Sequence, residues 1–455
     1  MRKIVSVFLH AVSCVFILVA VMVIHILVIS DCKISDFFSC GRLSILDDRD
    51  SKITHDIVVD LSTIAEEGGV LKLTENIIFG IIKKRPNWRL ILLLSNFSNS
   101  SYQAISESKN IKLLKITTTR ISALHSTIFH FINTVTFGLI REKIEQLIFR
   151  ENLFIDNCCN MFWDPAAGWS NIYSSSIPLV CTIHDLAYKD MGQFLDEDKC
   201  KLQFECMDIA IKKSKSIITV SDFTKKRISE EFPEAADRVE RIHIKTANRL
   251  NNDSGANDAE TQSLLQKYNL RDKKYFIYIS SLWPLKNHHK LLEAFVIFSK
   301  NLANAETKDI KLLIVGHKTK DIVSNVAREL KIEDKVVTPG FVPKSDLKKL
   351  LSHAIAFIHP SLYEGFGIPI IEAMAAGVPI ASSTAGSLPE VGGNAVLLFN
   401  PYDVNDIVSA MQKISNDKKY RESLIKSGSE RVKYFEDNNS MIDDYIQVFE
   451  KVMSH

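Results

Sequence analysis

The stretch HPSLYEGFGIPIIE, His359 to Glu372, follows the apolar run IAFI at 355–358 and reads as a buried strand, a glycine-bearing loop and then a helix. Gly365-Phe366-Gly367 lets backbone N–H groups come close to a ligand, and Pro369 has the preset φ of a first helical turn. Free N–H groups at such a turn favour an anion, so the segment predicts a site for a phosphorylated ligand. Glu364 is expected on the loop and Glu372 in the first helical turn, both directed to one cleft. Carboxylate oxygens in that position suit sugar and ribose hydroxyls.

Outward from this segment the chain alternates apolar runs with helical spacing, the pattern of a parallel sheet with covering helices. Strands are expected at 55–61, 89–95, 111–116, 178–184, 216–221 and 239–245. After an NNDSGAND-rich break a second series follows at 275–280, 310–316, 335–341, 355–360, 379–382 and 395–399. The expected fold class is therefore α/β, with two Rossmann-like domains joined by a linker. Their boundaries are placed at 54–248 and 271–435, with linkers at 31–53 and 249–270. Residues 436–455 end the chain in a helix whose stripe is Met441, Tyr445, Val448 and Val452.

The composition narrows the function classes. With 455 residues, 46% of them hydrophobic and 24% charged, the chain can bury a large core. Fifty-six basic against 54 acidic residues leave a net charge of +2, and no basic array is interleaved with aromatics, so no nucleic-acid partner is expected. The eight cysteines contain no Cys-x-x-Cys pair, which points to apolar fillers in a reducing compartment.

Ile4 to Ile29 form an almost unbroken apolar run behind Arg2 and Lys3. At about 1.5 Å per residue such a helix would span the ~30 Å hydrocarbon layer. Residues 1–30 are expected to be a membrane anchor or signal anchor, with Lys33, Arg42 and Arg49 opposing the orientation that Arg2 and Lys3 favour. The segment from Ile121 to Phe149 is helical in pattern and apolar, suited to a packed helix or a membrane-facing ridge.

Read whole, HPSLYEGFGIPIIEAMAAGVPIASSTAGSLPEV resembles the signature of glycosyltransferase family 4, the retaining nucleotide-sugar enzymes of GT-B fold. The likeness covers roughly residues 55–450. It implies two Rossmann-like domains facing across a cleft, with the last helix crossing back onto the first. Gly68 and Gly69, in Glu67-Gly68-Gly69-Val70, resemble the family's N-terminal glycine loop near donor phosphate and acceptor. His184, in CTIHDLAY, matches a His that contacts the donor sugar, and Val220-Ser221-Asp222-Phe223 resembles a structural strand-loop-helix motif.

In the second half, SSLWPLKNHHKLLEAF at 280–295 resembles the diphosphate-binding loop, with Lys286 as its phosphate-binding lysine. Many members carry Gly-Arg where this chain has Ser280-Ser281, so one cation is missing from its usual place. Trp283-Pro284 resembles a variant of members without that Arg. Val342, in Gly340-Phe341-Val342-Pro343, belongs to the loop that flanks the nucleobase. By the same resemblance Glu364 and the amides of Gly365, Phe366 and Gly367 hold the donor sugar, Glu372 the ribose and Lys286 the diphosphate.

The activity implied is metal-independent transfer of a hexose, mannose favoured, from a GDP- or UDP-sugar to a glycan or lipid-linked hydroxyl, with retained configuration. His184, Lys286 and Glu364 are the catalytic candidates, no separate cofactor is expected, and the catalytic domains are placed in the cytosol at a membrane. Asp48-Arg49-Asp50 and Asp196-Glu197-Asp198 lack the strand-end placement a metal-binding Asp-x-Asp needs, and the latter begins a helix. Lys212-Lys213-Lys215 and Lys225-Lys226-Arg227 are read equally as solvated faces or lipid contacts. Two other classes remain open: a catalytically silent GT-B scaffold, motivated by Ser281, and an NDP-sugar epimerase of related fold.

Overall fold

A computed structural model describes residues 52–62, 64, 69–94, 108–115, 159–168, 177–245, 258–301, 309–317 and 319–454. The chain separates into two compact units, 1–56 with 117–159, and 57–116 with 160–455. The second unit holds almost all the described residues. The anchor expected at 1–30, Asp48-Arg49-Asp50, Gly68 and the Ile121–Phe149 segment lie outside the described residues. Among those described, no helix is long and apolar enough to cross a membrane.

Seven parallel strands form the first sheet: β1 (His55–Asp60), β2 (Trp88–Leu94), β3 (Ile111–Lys115), β4 (Met161–Asp164), β5 (Leu179–Ile183), β6 (Ser214–Thr219) and β7 (Val239–Arg241). Their order is β3-β2-β1-β4-β5-β6-β7. Six more form the second: β8 (Tyr275–Ile279), β9 (Lys311–Val315), β10 (Val336–Gly340), β11 (Ala356–His359), β12 (Ile380–Ser383) and β13 (Val396–Phe399). Here the order is β10-β9-β8-β11-β12-β13, again with parallel pairs. These are two Rossmann-type sheets in a GT-B-like arrangement.

Helices on both faces explain why the strands read as apolar runs rather than alternating ones. Every residue of β2, β4 and β5 is buried. β4 is absent from the strands expected from sequence. It is four residues long, MFWD, and its apolar content follows Cys158-Cys159-Asn160 with no alternation to mark it. Tertiary pairing makes it a strand: Val58 aligns with Phe162 on one side and Trp163 with Val180 on the other.

Both sheets reverse their strand order once, between β1 and β4 and between β8 and β11. In open parallel sheets ligands bind beyond the carboxyl ends of the strands at such a switch point. Lys286 follows β8 and Glu364 follows β11, so the two straddle the switch point of the second sheet.

The helices that matter for the site are α1 (Gly69–Lys84), α2 (Glu197–Lys213), α3 (Asp222–Glu231), α4 (His288–Lys300), α5 (Ile368–Ala375), α6 (Lys418–Tyr434) and α7 (Asn438–Met453). The continuous helical pattern from Lys418 to Met453 is broken at Phe435–Asp437, where the Asp437 carboxylate caps α7 by accepting from the Ser440 N–H at 3.1 Å. The chain then returns to the first half. Met441, Tyr445, Val448 and Val452 are buried, and the Trp163 ring of β4 lies 5.6 Å from Tyr445 and 5.4 Å from Phe449. Lys84 with Asp443, at 2.6 Å, and Arg85 with Glu450, at 2.7 Å, fasten α7 beside α1.

Phe449 is fully buried in that seam. Phe449→Ala is expected to cost about 3–5 kcal/mol in a denaturant melt, as large-to-small core changes do. Phe79, 45% exposed on α1, supplies the control, and Phe79→Ala should stay within about 0.5 kcal/mol of wild type.

Candidate active site

The loop after β8 is short and held at both ends. Pro284–Lys286 form a single 3₁₀ turn, and Asn287 follows with φ +57°, a left-handed conformation that Asn tolerates better than most residues. The buried Asn287 amide donates to the carbonyls of Pro360 at 3.0 Å and Pro401 at 2.9 Å, while Tyr278 OH donates to the Lys286 carbonyl at 2.9 Å. Asn287 therefore fixes where Lys286 emerges. Because its side chain is spent elsewhere, it leaves the first turn of α4 without a side-chain cap.

Lys286 Nζ reaches Glu364 Oε1 at 2.6 Å, with the two side chains 18% and 13% exposed. His359, buried at the end of β11, lies with Nε2 3.1 Å from the same oxygen. Burial alone would raise the Glu364 carboxyl, but Lys286 and His359 overcome it and hold the group well below the usual carboxylate range. The Glu364 backbone is fixed as well. Its carbonyl accepts from Ser387 N–H at 3.1 Å and Ser387 Oγ at 3.0 Å, and Gly386, at φ +62°, packs so closely that a Cβ there would lie 2.5 Å from that oxygen.

His288 opens α4 with Nε2 2.8 Å from Ser280 Oγ. Burial, with Lys286 adding repulsion, pushes its imidazole down to about 4, so it carries no charge near neutral pH. It therefore adds no cation beside Ser281.

The two halves touch at Gly365. A Cβ on that residue would sit 2.1 Å from the His184 carbonyl oxygen and 2.9 Å from Asp185 Cβ, closer than real atoms approach. His184 itself is turned by a 2.9 Å bond between Nε2 and the Pro165 carbonyl, and Thr224 Oγ1 of α3 donates to the His184 carbonyl at 3.2 Å. Burial lowers the His184 imidazole below its ordinary value, which favours the neutral ring.

Beside this contact, Tyr363 OH donates to Asp190 Oδ2 at 2.9 Å, and Asp190 is held by two Arg227 bonds at 3.0 and 2.6 Å. On the other side Glu390 accepts the N–H groups of Asp222 at 2.8 Å and Phe223 at 3.0 Å, capping α3 from the opposite half. His243 Nε2 lies 2.6 Å from Glu390 Oε1, with Tyr434 OH 2.8 Å from its Nδ1. Burial raises the Glu390 carboxyl, but the His243 and backbone hydrogen bonds outweigh this and leave it lowered.

Sequence reading placed some of these residues and missed others. Lys286, Glu364, Gly365 and His184 come together at the join. Gly69 begins α1 and lies near Ile368 of α5, its added Cβ 3.7 Å from Cδ1, so the start of α1 and the helix after Gly367 are neighbours. Glu372 is just beyond the first turn of α5 rather than in it, because with Gly367 as the cap it is the fifth residue of the helix. Val342 is buried in the core at 3% exposed, while the neighbouring Phe341 is 73% exposed at the surface.

Phe366 packs its ring against His243 and Phe435 at 5.8 and 6.0 Å, so only its amide is free for a ligand role. Asn287, His359, His288, Glu390 and the Tyr363–Asp190 pair were given no site role from sequence. The signal for Asn287 was legible in principle, since Asn directly before a helical run suits a left-handed cap. The partners of Glu390 and Tyr363 lie more than 140 positions away in the chain and leave no local trace.

Asp196 caps α2 by accepting from Lys199 N–H at 3.0 Å, which accounts for the acids at 196–198. Among the described residues, Asp222, His243 and Glu390 have ligand atoms within 4.8 Å of one another, as a cation would need. Both Glu390 oxygens already accept N–H hydrogens there, so the donor set is engaged in joining the halves.

With this geometry in place, known proteins supply the comparison. Residues 260–431 match the family model of the glycosyl transferases group 1. The segment covers β8 to β13 and both residues of the Lys286–Glu364 pair. Over 260 residues the chain is 32% identical to O-antigen chain mannosyltransferase B of Escherichia coli, covering 56% of this chain and 66% of that protein. It is 28% identical over 275 residues to the serotype-specific mannosyltransferase WbdA of E. coli, covering 56% of this chain and 32% of the other. The chain thus spans 32% to 66% of the length of these relatives. Among solved structures, sucrose-phosphate synthase from Thermosynechococcus elongatus superposes with a TM-score of 0.63 at 17% identity, over 88% of this chain and all of the other. Anabaena HepE in complex with UDP and glucose gives 0.60 at 15%, with the same coverage, and these likenesses concern the fold.

Two expectations follow from the site. Gly365→Ala should force the join apart, raising the radius of gyration in X-ray scattering, whereas Gly192→Ala, whose Cβ would enter open space, should leave it unchanged. His288 binds its proton less readily folded, at about 4, than unfolded, at 6.5. Below pH 6.5 the unfolded chain takes up a proton the folded one refuses, so stability should fall from pH 6.5 to about 4 and then level. In pH-dependent melts, His288→Gln should flatten that slope.

Proposed function

We propose that this protein is a retaining glycosyltransferase of family 4 that moves a hexose, mannose favoured, from a nucleoside diphosphate sugar to a saccharide or lipid-linked hydroxyl in surface polysaccharide assembly. The observation that carries the reading is the Lys286–Glu364 pair, placed at the switch point of the second sheet, with Gly365 beside Glu364 packed against the His184 carbonyl of the first. A cation fixed beside the uncapped first turn of α4 is what a diphosphate leaving group requires. The mannosyltransferase relatives support the sugar, and the group 1 match supports the transfer.

On this reading the donor lies against the second half, with its diphosphate at Lys286 and the N-terminus of α4, its sugar at Glu364 and the Gly365-Phe366-Gly367 amides, and its ribose at Glu372. The bond from the anomeric carbon to the phosphate oxygen breaks, and the acceptor hydroxyl oxygen bonds to that carbon from the same face. The hydroxyl proton passes to the departing phosphate oxygen, and a nucleoside diphosphate leaves. His184, neutral and oriented by Pro165, contacts the sugar from the first half. The charge on the leaving group falls to Lys286 and to N–H groups, so the reaction is proposed to run without a metal. The apolar run at 1–30 would tether the enzyme to the membrane, with its catalytic halves in the cytosol where nucleotide sugars are made.

Lys286→Ala removes the cation where leaving-group charge grows, and loss of one such stabiliser typically costs about 10²- to 10³-fold in kcat. Glu372→Ala should chiefly raise the donor KM, since ribose contacts are equal in ground and transition states. Steady-state transfer from GDP-mannose and UDP-glucose measures both. Near-wild-type kcat/KM in Lys286→Ala would move the phosphate site elsewhere, and GDP protection in a thermal melt without turnover from any nucleotide sugar would favour the scaffold.

A further inference from the structure

Asp185 follows His184 at the carboxyl end of β5, in the first half, and faces the loop that carries Glu364. Its Cβ lies 2.9 Å from the place a Gly365 Cβ would take, so nothing but backbone separates the two loops. The Asp185 side chain is only partly exposed. One of its oxygens, Oδ1, accepts the Ala187 N–H at 2.9 Å and so caps the turn that follows. Among the described residues, none donates a hydrogen bond to Oδ2.

Capping does not explain the charge. Asn or Ser would accept the Ala187 N–H equally well. Asp instead sets a second carboxylate near Glu364, which repels it, with Lys286 as the cation that partly offsets both. Burial raises the Asp185 carboxyl above its ordinary value, and Glu364 adds to this; the Ala187 hydrogen bond, His184 and Lys286 oppose it. Tyr188 and Tyr363 complete its titratable surroundings. A half-buried carboxylate that costs repulsion, with one oxygen unspent, faces the loop that holds the donor.

We infer that Asp185 is an acceptor-binding residue: its free oxygen takes a hydrogen bond from a hydroxyl next to the attacking one on a saccharide acceptor, and so orients the sugar ring. This rests on the transferase reading above and narrows its substrate class. The acceptor is a sugar end with a free neighbouring hydroxyl, not a lipid phosphate, whose negative charge Asp185 and Glu364 would together repel. The attacking hydroxyl remains free to pass its proton to the departing phosphate oxygen, as already described.

The test uses the full chain, Asp185→Asn and Asp185→Glu, with GDP-mannose and UDP-glucose as donors. Methyl α-mannoside, methyl glucoside, methyl galactoside, their deoxy analogues and a polyprenyl phosphate serve as acceptors. Asp185→Asn keeps the cap on Ala187, so the fold is retained, and GDP protection and donor KM should stay within about two-fold of wild type. Its kcat/KM for the acceptor should fall about 10- to 100-fold, the size of a lost hydrogen bond to a charged group, with partial rescue in Asp185→Glu. One deoxy acceptor should lose a similar factor with wild type and nothing further with Asp185→Asn, the mark of coupled partners.

Equal losses for every deoxy acceptor in both proteins would overturn the assignment, as would wild-type transfer rates in Asp185→Asn or loss of its GDP protection. Transfer to polyprenyl phosphate but to no glycoside would overturn it while leaving the transferase reading intact. Wild-type protein that binds GDP yet transfers to neither kind of acceptor would sink both.

Discussion

The arrangement depends on a place where no side chain is allowed. Gly365 sits so close to the His184 carbonyl that its hydrogen is the largest substituent the gap accepts. That contact brings the carboxyl ends of β5 and β11 together, and with them every group of the candidate site. Tyr363 on one side of Gly365 and Phe366 on the other extend it, the first by a hydrogen bond to Asp190, the second by packing on His243. The order Tyr-Glu-Gly-Phe therefore joins the halves and presents Glu364 between them.

Charge is the second constraint. A mostly buried carboxylate is tolerable only when paired, and Glu364 has an ammonium and an imidazole on one oxygen. Breaking such a pair from either side typically costs about 3–5 kcal/mol, so the ion pair is part of the fold as well as of the proposed chemistry. A phosphate arriving beside Lys286 would share an ammonium that is already desolvated and aimed, which reduces the reorganisation left for the moment of reaction. The arrangement also bears on Ser281. With His288 neutral, the compensation proposed for the arginine that the resemblance leads one to expect would rest on Lys286 and the open first turn of α4.

What could be read from the sequence divides along physical lines. The two parallel sheets were legible because buried strands in such sheets are continuous apolar runs, and twelve of the thirteen strands among the described residues overlap an expected run. β4 escaped because four residues between two longer strands carry no periodicity of their own. In the site, Lys286, Glu364 and Gly365 stood out through local order: a glycine pair between acids, and a lysine at a strand-helix junction. His359 was within the stretch that decided the fold, but a lone histidine at a strand end does not declare a carboxylate partner five residues on. Glu390 and Asp190 act across the join, and their roles follow from three-dimensional placement alone. The burial of Val342 shows the same limit at one residue, because a strand-end loop leaves open which of two neighbours turns inward.

The join is polar where it is specific. Glu390 completes the first turn of α3, Tyr363 reaches Asp190, and His243 links Glu390 to Tyr434 at the end of α6. Apolar packing holds each sheet, and α7 ties the far end of the second half to the first through Trp163 and the lysine and arginine at the end of α1. Such a division suits two bodies that stay attached while their facing loops part and meet, since interfaces between domains of one chain are by default polar and movable. A few directional bonds set one closed geometry, and each costs little to break when water can replace it. The tightest element is then not a bond but the Gly365 contact, which contributes no attraction of its own and fixes how near the two halves can come.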